Sequence, residues 1–147
     1  VGGWFYGTAT TDTARGIKFM KDKGWNYVFL SMNTRNYKYT DKLKEYNTLC
    51  KENNIALHLM ILEDPLYIDE YDYKADVEQT IDYCIENKID IAGLQIDAEP
   101  HGHSKWGSGN KELFNQYLTL LTETRKIIKV NGAIYYLVLL LNGIILI

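Results

Sequence analysis

Apolar runs alternate with stretches of helical period along the whole chain, and this alternation leaves few folds open. Trp4-Phe5-Tyr6-Gly7-Thr8 reads as a first strand. Asp12 or Thr11 then caps a helix with Ala14, Ile17 and Met20 on one face, and Gly24 ends it. Tyr27-Val28-Phe29-Leu30-Ser31-Met32 is a second strand. Leu43, Tyr46, Leu49 and Cys50 recur at helical spacing up to the stop at Asn53-Asn54. Ile55-Ala56-Leu57-His58-Leu59-Met60-Ile61-Leu62 is a third strand, closed by Glu63-Asp64-Pro65. Val77, Ile81 and Cys84 or Ile85 mark a third helix, and a fourth strand runs over 89–96. Leu113, Phe114, Tyr117, Leu121, Thr124 and Ile128 line a long fourth helix stopped by Gly132, before a fifth strand over 133–141.

The order is β-α-β-α-β-α-β-α-β. Strands written as nearly continuous apolar runs are those of a parallel sheet buried on both faces. The chain therefore reads as one α/β domain over 1–147 of the (β/α) barrel type. It is an incomplete TIM barrel with about five parallel strands, starting near Trp4, Tyr27, Ile55, Ile89 and Ala133. A doubly wound open sheet fits the same element order, but its first turn usually carries G-x-G-x-x-G. Gly7-Thr8-Ala9-Thr10-Thr11 lacks that spacing. Eight βα units take roughly 250 residues. A chain of 147 residues thus reads as the N-terminal part of a longer barrel, and its open strand edges would favour self-association.

The end of the chain, from Ala133, is almost wholly apolar and contains Asn142-Gly143. It reads as a strand followed by the start of something lost, as a hairpin on an Asn-Gly turn, or as a frameshifted tail. It falls short of the roughly 20 apolar residues of a membrane span. The net charge of −3 offers no basic stripe for nucleic acid. Cys50 and Cys84 lie on apolar helix faces and read as buried free thiols, with a disulfide left open. The chain starts at Val1 with no signal-like segment, which leaves its compartment unknown.

The sharpest local feature is Ala92-Gly93-Leu94-Gln95-Ile96-Asp97-Ala98-Glu99-Pro100-His101. Side chains two apart on a strand share a face, so Gln95, Asp97 and Glu99 point together into the mouth of a barrel. Two carboxyls on one face of a buried strand repel, and burial disfavours their charged forms. One is then expected to hold a proton near neutral pH, as glycoside hydrolysis requires of its acid. The bland alternative is that acidic residues beside a proline cap the next loop or pair with a lysine.

These residues resemble known families. The strand is similar to the chitinase-type (family 18) glycoside hydrolase pattern D-G-x-D-x-D-x-E, which also closes a fourth strand. Gly93, Asp97 and Glu99 match it, whereas Ala92 and Gln95 stand where that family has aspartates. The resemblance implies Glu99 as general acid and Asp97 as the residue that orients the substrate. Glu99-Pro100 also resembles the Asn-Glu-Pro signature of the retaining barrel glycosidases, with Ala98 in place of the Asn. Most of the chain resembles uncharacterised bacterial barrel proteins described as glycoside-hydrolase-like. The cues are the Trp-bearing first strand, the Asp-x-Glu-Pro-His end of the fourth strand, and the following Trp loop and long helix.

Around this centre, Trp106 reads as a stacking platform for a sugar ring or as a packing residue. His101 stands beside the carboxyls as a substrate contact. His101 and His103 together can also be read as metal ligands, though their spacing matches no strong signature and no metal is assigned. Asn33, Arg35, Glu63 and Asp64 follow the second and third strands on the same rim, where such a residue is more often a loop cap than a ligand. Tyr6 and Trp4 line the mouth or pack in the core, and His58 reads as a satisfied core histidine. The leading expectation is a glycoside hydrolase-like enzyme without a cofactor, acting on a carbohydrate. The alternatives are a non-catalytic carbohydrate-binding or degenerate barrel, and a metal-assisted lyase or isomerase.

Overall fold

A computed structural model describes residues 1–6, 12–31, 39–107, 110–130, 136–141 and 144–146. Its elements run in order: β1 (Gly2–Phe5), α1 (Thr13–Asp22), β2 (Tyr27–Ser31), α2 (Thr40–Glu52), β3 (Ala56–Ile61), α3 (Tyr73–Glu86), β4 (Gly93–Ile96), α4 (Lys111–Val130), β5 (Tyr136–Leu141) and β6 (Ile144–Leu146). Strands β1 to β5 lie side by side in chain order, each parallel to the next. The doubly wound alternative needs a reversal of strand order, and no reversal occurs among them. The protein is an α/β fold whose parallel sheet is that of an incomplete (β/α) barrel. β6 turns back antiparallel to β5, which is the hairpin reading of the tail. The Asn142-Gly143 turn, Gly132 and the start of the expected fifth strand lie outside the described residues, as does the 7–11 turn.

The helices begin and end for local reasons. The Asp12 carboxylate accepts a hydrogen bond from the Arg15 backbone N–H at 2.9 Å and caps α1. Gly24 follows α1 with φ +67°, and Asn54 follows α2 with φ +54°; both conformations suit the residue that ends a helix. Two pairs of adjacent apolar residues each turn only one member to the core. Cys84 is fully buried and Ile85 is exposed; Leu113 is buried and Phe114 is exposed. One residue rotates a helix by about 100°, so of two adjacent apolar residues only one faces the core. On α1 the buried face is Thr13, Gly16, Ile17 and Met20, and Ala14 lies outside it. The fourth strand is also shorter than its apolar run, because its ladder with β3 begins at Gly93 opposite His58.

The strands alternate after all, between two kinds of apolar face. Val28, Leu30, Leu57, Leu59, Ile61, Leu94 and Ile96 join residues of all four helices in one aliphatic core. With all four helices on the same side, the sheet is wound in one direction, as a barrel demands. The opposite, inner face carries Trp4, Tyr27, Phe29, His58, Met60 and Gln95. Phe29 and Met60 form a second cluster there with Tyr27 beside it. Cys50 and Cys84 are buried free thiols, and burial pushes both up to about 12.

Helices α1 and α2 meet through a close contact that needs glycine. A Cβ at Gly16 would come within 2.8 Å of the Tyr46 hydroxyl. That hydroxyl is buried and has no hydrogen-bond partner among the described residues, and burial pushes its pKa up to about 12. Removing an unsatisfied buried hydroxyl recovers a desolvation cost, so Tyr46→Phe is expected to stabilise the fold by about 1 kcal/mol. Gly16→Ala alone should destabilise it through overpacking, by about 1 kcal/mol after its gain in helix propensity. In the Tyr46→Phe background the loss should shrink. Chemical denaturation of the two single variants and the double variant measures this coupling, and additive effects would show that the two side chains do not interfere.

Candidate functional site

The carboxyls gather where the parallel strands end. Asp97 is the first residue past β4, and its backbone N–H donates to the Ile61 carbonyl at 3.0 Å, which carries the β3–β4 ladder one residue further. Its side chain lies on the inner face and is half-buried. Gln95, wholly buried two residues earlier, donates from Nε2 to Asp97 Oδ1 at 3.1 Å. Burial raises the Asp97 pKa, the Gln95 hydrogen bond partly opposes this, and the charge of Glu99 adds to the rise.

Glu63 reaches the same mouth by an unusual backbone step. Strict alternation from β3 would turn Leu62 inward and Glu63 toward the helices. Instead Leu62 takes φ +54°, a left-handed conformation rare for a bulky residue, and buries its side chain in the aliphatic core. Such a conformation costs on the order of 1–3 kcal/mol and persists where surrounding packing enforces it. Its effect is to deliver Glu63 to the inner side, where Ser31 Oγ donates to the carboxylate, 2.7 and 2.9 Å from its two oxygens. Burial raises the Glu63 pKa, the Ser31 bond opposes it, and the Asp97 charge raises it further. Asp64 is different: its carboxylate accepts from the Leu66 backbone N–H at 2.9 Å and caps the 3-10 turn Pro65–Ile68, a structural duty.

Glu99 departs from the expectation that it is buried. Its side chain is 61% exposed, and Oε2 lies 3.3 Å from Nε2 of His101, itself 68% exposed. The physical reason is that the strand has ended. Glu99 precedes the 3-10 turn Pro100–Gly102, and its carbonyl accepts from the Gly102 backbone N–H at 3.0 Å. The desolvated pair at the mouth is therefore Asp97 with Glu63, and Glu99 stands at the rim.

Two aromatics complete the mouth. Tyr6, just past β1, is 67% exposed. Partial burial raises its hydroxyl pKa, as do the charges of Asp97, Glu63 and Glu99, which places it in the field of all three. Tyr117 on α4 is buried; burial and the charges of Asp97 and Glu99 raise its pKa as well. Nothing in its sequence context separated Tyr117 from an ordinary core tyrosine. Trp106 is 48% exposed in the loop after β4 and offers an open ring face. Asn33 and Arg35 lie outside the described residues.

The loops after β3 and β4 are tied to each other. Asp69 and His103 are almost wholly buried, with Asp69 Oδ1 and His103 Nε2 2.9 Å apart. Asp69 Oδ2 accepts from the half-exposed Lys105 ammonium at 2.5 Å, and His103 Nδ1 accepts from the Lys105 backbone N–H at 3.0 Å. His103 is thus a loop brace on Asp69. Among the described residues no three His, Cys, Asp or Glu side chains gather in a way that could hold a metal ion. No helix among them is long and apolar enough to cross a membrane.

His58 is not the satisfied core histidine that its strand suggests. Its ring packs on Phe29 with centroids 5.3 Å apart and edge-on to Tyr27 at 6.5 Å, but Nδ1 is buried without a partner among the described residues. Burial lowers its pKa.

Compared with known proteins, the chain matches no family model and no curated sequence. The functional reading therefore rests on geometry. Two half-buried carboxyls with raised pKa values at a strand-end mouth, with the Asp97 charge acting on Glu63, can retain a proton at pH values where exposed carboxyls have lost theirs. A third carboxyl and an exposed indole lie on the loop beyond.

Proposed function

We propose that the chain carries the acid–base centre of a glycoside hydrolase-like enzyme, which cleaves an O-glycosidic bond at the mouth of the sheet. The observation that carries this reading is the Glu63–Asp97 pair, two desolvated carboxyls held by Ser31 and Gln95 at adjacent strand ends. Cleavage of a glycosidic bond needs a protonated carboxyl at the leaving oxygen and a second, ionised one for the sugar or the water. On this reading the pair supplies the retained proton, and Glu99 at the rim passes a proton to the leaving group. Trp106, His101 and Tyr6 supply a stacking face and polar contacts to a neutral sugar.

The test compares aryl with alkyl glycosides on Glu99→Gln, Asp97→Asn and Glu63→Gln. Aryl leaving groups need little protonation. The variant that lacks the proton donor should lose far more activity on the alkyl substrate. Equal losses on both substrates for all three variants would remove acid catalysis from this site. A wild-type chain that hydrolyses no member of a panel of aryl glycosides would remove the reading altogether.

A second reading is a barrel that binds carbohydrate without cleaving it, and the exposure of Glu99 favours it. Saturable sugar binding without turnover would select it. Association of copies belongs to either reading. Among the described residues β1 pairs only with β2, and β6 only with β5. Light scattering should show a mass that rises with concentration if these edges pair between copies.

A further inference from the structure

Two unsatisfied polar atoms sit on the inner face of the sheet, below the carboxyls. Gln95 is wholly buried, and its Nε2 is committed to Asp97. That bond fixes the amide's orientation, because the reverse placement would set the amide oxygen against a carboxylate. It leaves Oε1 buried with no partner among the described residues. His58 Nδ1, on the neighbouring strand, is also buried with no partner among the described residues. The register pairs His58 with Gly93 and Met60 with Gln95, so His58 and Gln95 are diagonal neighbours on one face. The residue directly across from His58 is a glycine, which puts no side chain between them.

Buried polar atoms are almost always hydrogen-bonded, and two orphans on one face call for a missing group. We propose that the inner face between His58 and Gln95 is a binding subsite for one hydroxyl of a neutral sugar or polyol. A hydroxyl donates to the Gln95 amide oxygen and still holds lone pairs and a rotatable hydrogen for an imidazole of either tautomer. An anion is opposed by the Asp97 and Glu63 carboxylates nearby. A divalent cation needs four or more ligands, and His58 and Gln95 offer one nitrogen and one oxygen. The Tyr27 and Phe29 rings pack against His58 on its β2 side, away from Gln95, and hold the imidazole in place. The subsite extends the glycosidase reading by naming residues that hold the substrate beneath the acid–base pair, and it is tested by binding, separately from cleavage.

The experiment follows the His58 ring nitrogens and the Gln95 side-chain amide of the full chain by nitrogen-15 NMR. The probes are glucose, galactose, mannose, xylose, N-acetylglucosamine and glycerol, with magnesium, zinc and phosphate salts as charged controls. At least one neutral probe should move both signals to saturation. His58→Phe keeps the ring packing and removes Nδ1; Gln95→Leu removes the amide. Each should weaken that binding by about tenfold, the worth of one hydrogen bond. The proposal is overturned if no neutral probe moves the two signals saturably, which would assign the orphans to an ordered water only. It is also overturned if only metal or phosphate moves them, or if a folded His58→Phe protein binds the sugar as tightly as wild type. Saturable binding without cleavage sinks the hydrolase reading and leaves the subsite. Cleavage with both signals unmoved sinks the subsite and leaves the hydrolase.

Discussion

Replacing Glu63 with Gln is expected to lower glycoside cleavage by roughly 10²–10⁴-fold, the usual span of acid–base catalysis, with the fold intact. Gln keeps the shape of the side chain and still accepts from Ser31 Oγ, so the anchoring bond survives. What is lost is the titrating group. Within the pair, burial raises the Glu63 pKa and the Asp97 charge adds to the rise. Removing the Asp97 charge should bring the Glu63 pKa down toward the ordinary carboxylate range. A proton donor with a lowered pKa deprotonates earlier as pH rises. The residual activity of Asp97→Asn should therefore fall off at a lower pH than wild type. The same pair sets a sign for stability. Carboxyls with raised folded pKa values favour the folded state at low pH and cost stability as pH rises through those values. Asp97→Asn should thus be neutral or mildly stabilising at neutral pH even while activity collapses. A pH–rate profile of the three proteins, with melting curves beside it, checks both halves. An unshifted profile in Asp97→Asn would mean the two carboxyls do not share a site.

Asp69→Ala is expected to destabilise the protein by about 1–3 kcal/mol, because it leaves the buried His103 ring nitrogen without its partner. Lys105 is half exposed and adds little of its own. The Lys105 hydrogen bond, and after it the His103 bond, hold the Asp69 carboxyl below its usual range. A depressed folded pKa contributes stability that is complete above the unfolded value, near 4. It is lost as pH falls through the folded one. The difference between wild type and Asp69→Ala should therefore be full at neutral pH and shrink below about pH 4. The variant should also loosen the loop that carries Trp106 and Glu99, since Asp69 joins the connection after β3 to the one after β4. Hydrogen exchange at the backbone N–H of Lys105 and Trp106 should speed up in the variant. Unchanged exchange there would make Asp69 a local cap and no brace.

How much of this was legible in the sequence depends on the range of the interaction. Periodicity placed β1 to β4 and all four helices within a few residues, because burying one helix face or one apolar run is a local requirement. Where two apolar residues stand side by side, as Cys84 and Ile85 or Leu113 and Phe114 do, the pattern cannot say which faces inward. The neighbouring elements decide it. Asp97 was legible because its strand runs straight into it. Glu99 was legible as a rim residue, but its exposure depends on the turn that starts at Pro100. His103 read as a ligand candidate, and its partner Asp69 lies 34 residues away on a loop whose docking no local pattern encodes.

By itself, then, the sequence determined the element order, the parallel sheet and the placing of a carboxyl at the end of the fourth strand. Each follows from side-chain period, apolar runs and cap residues read over short windows. Only the tertiary structure decided which carboxyl stands opposite Asp97. Alternation in β3 points Glu63 the wrong way, and the left-handed step at Leu62 reverses it. That step is held by burial of Leu62 among residues distant in sequence, and it brings Glu63 onto Ser31, 32 residues earlier. The unpaired atoms of His58 and Gln95 are likewise invisible along the chain, since a missing partner is a property of the surrounding space.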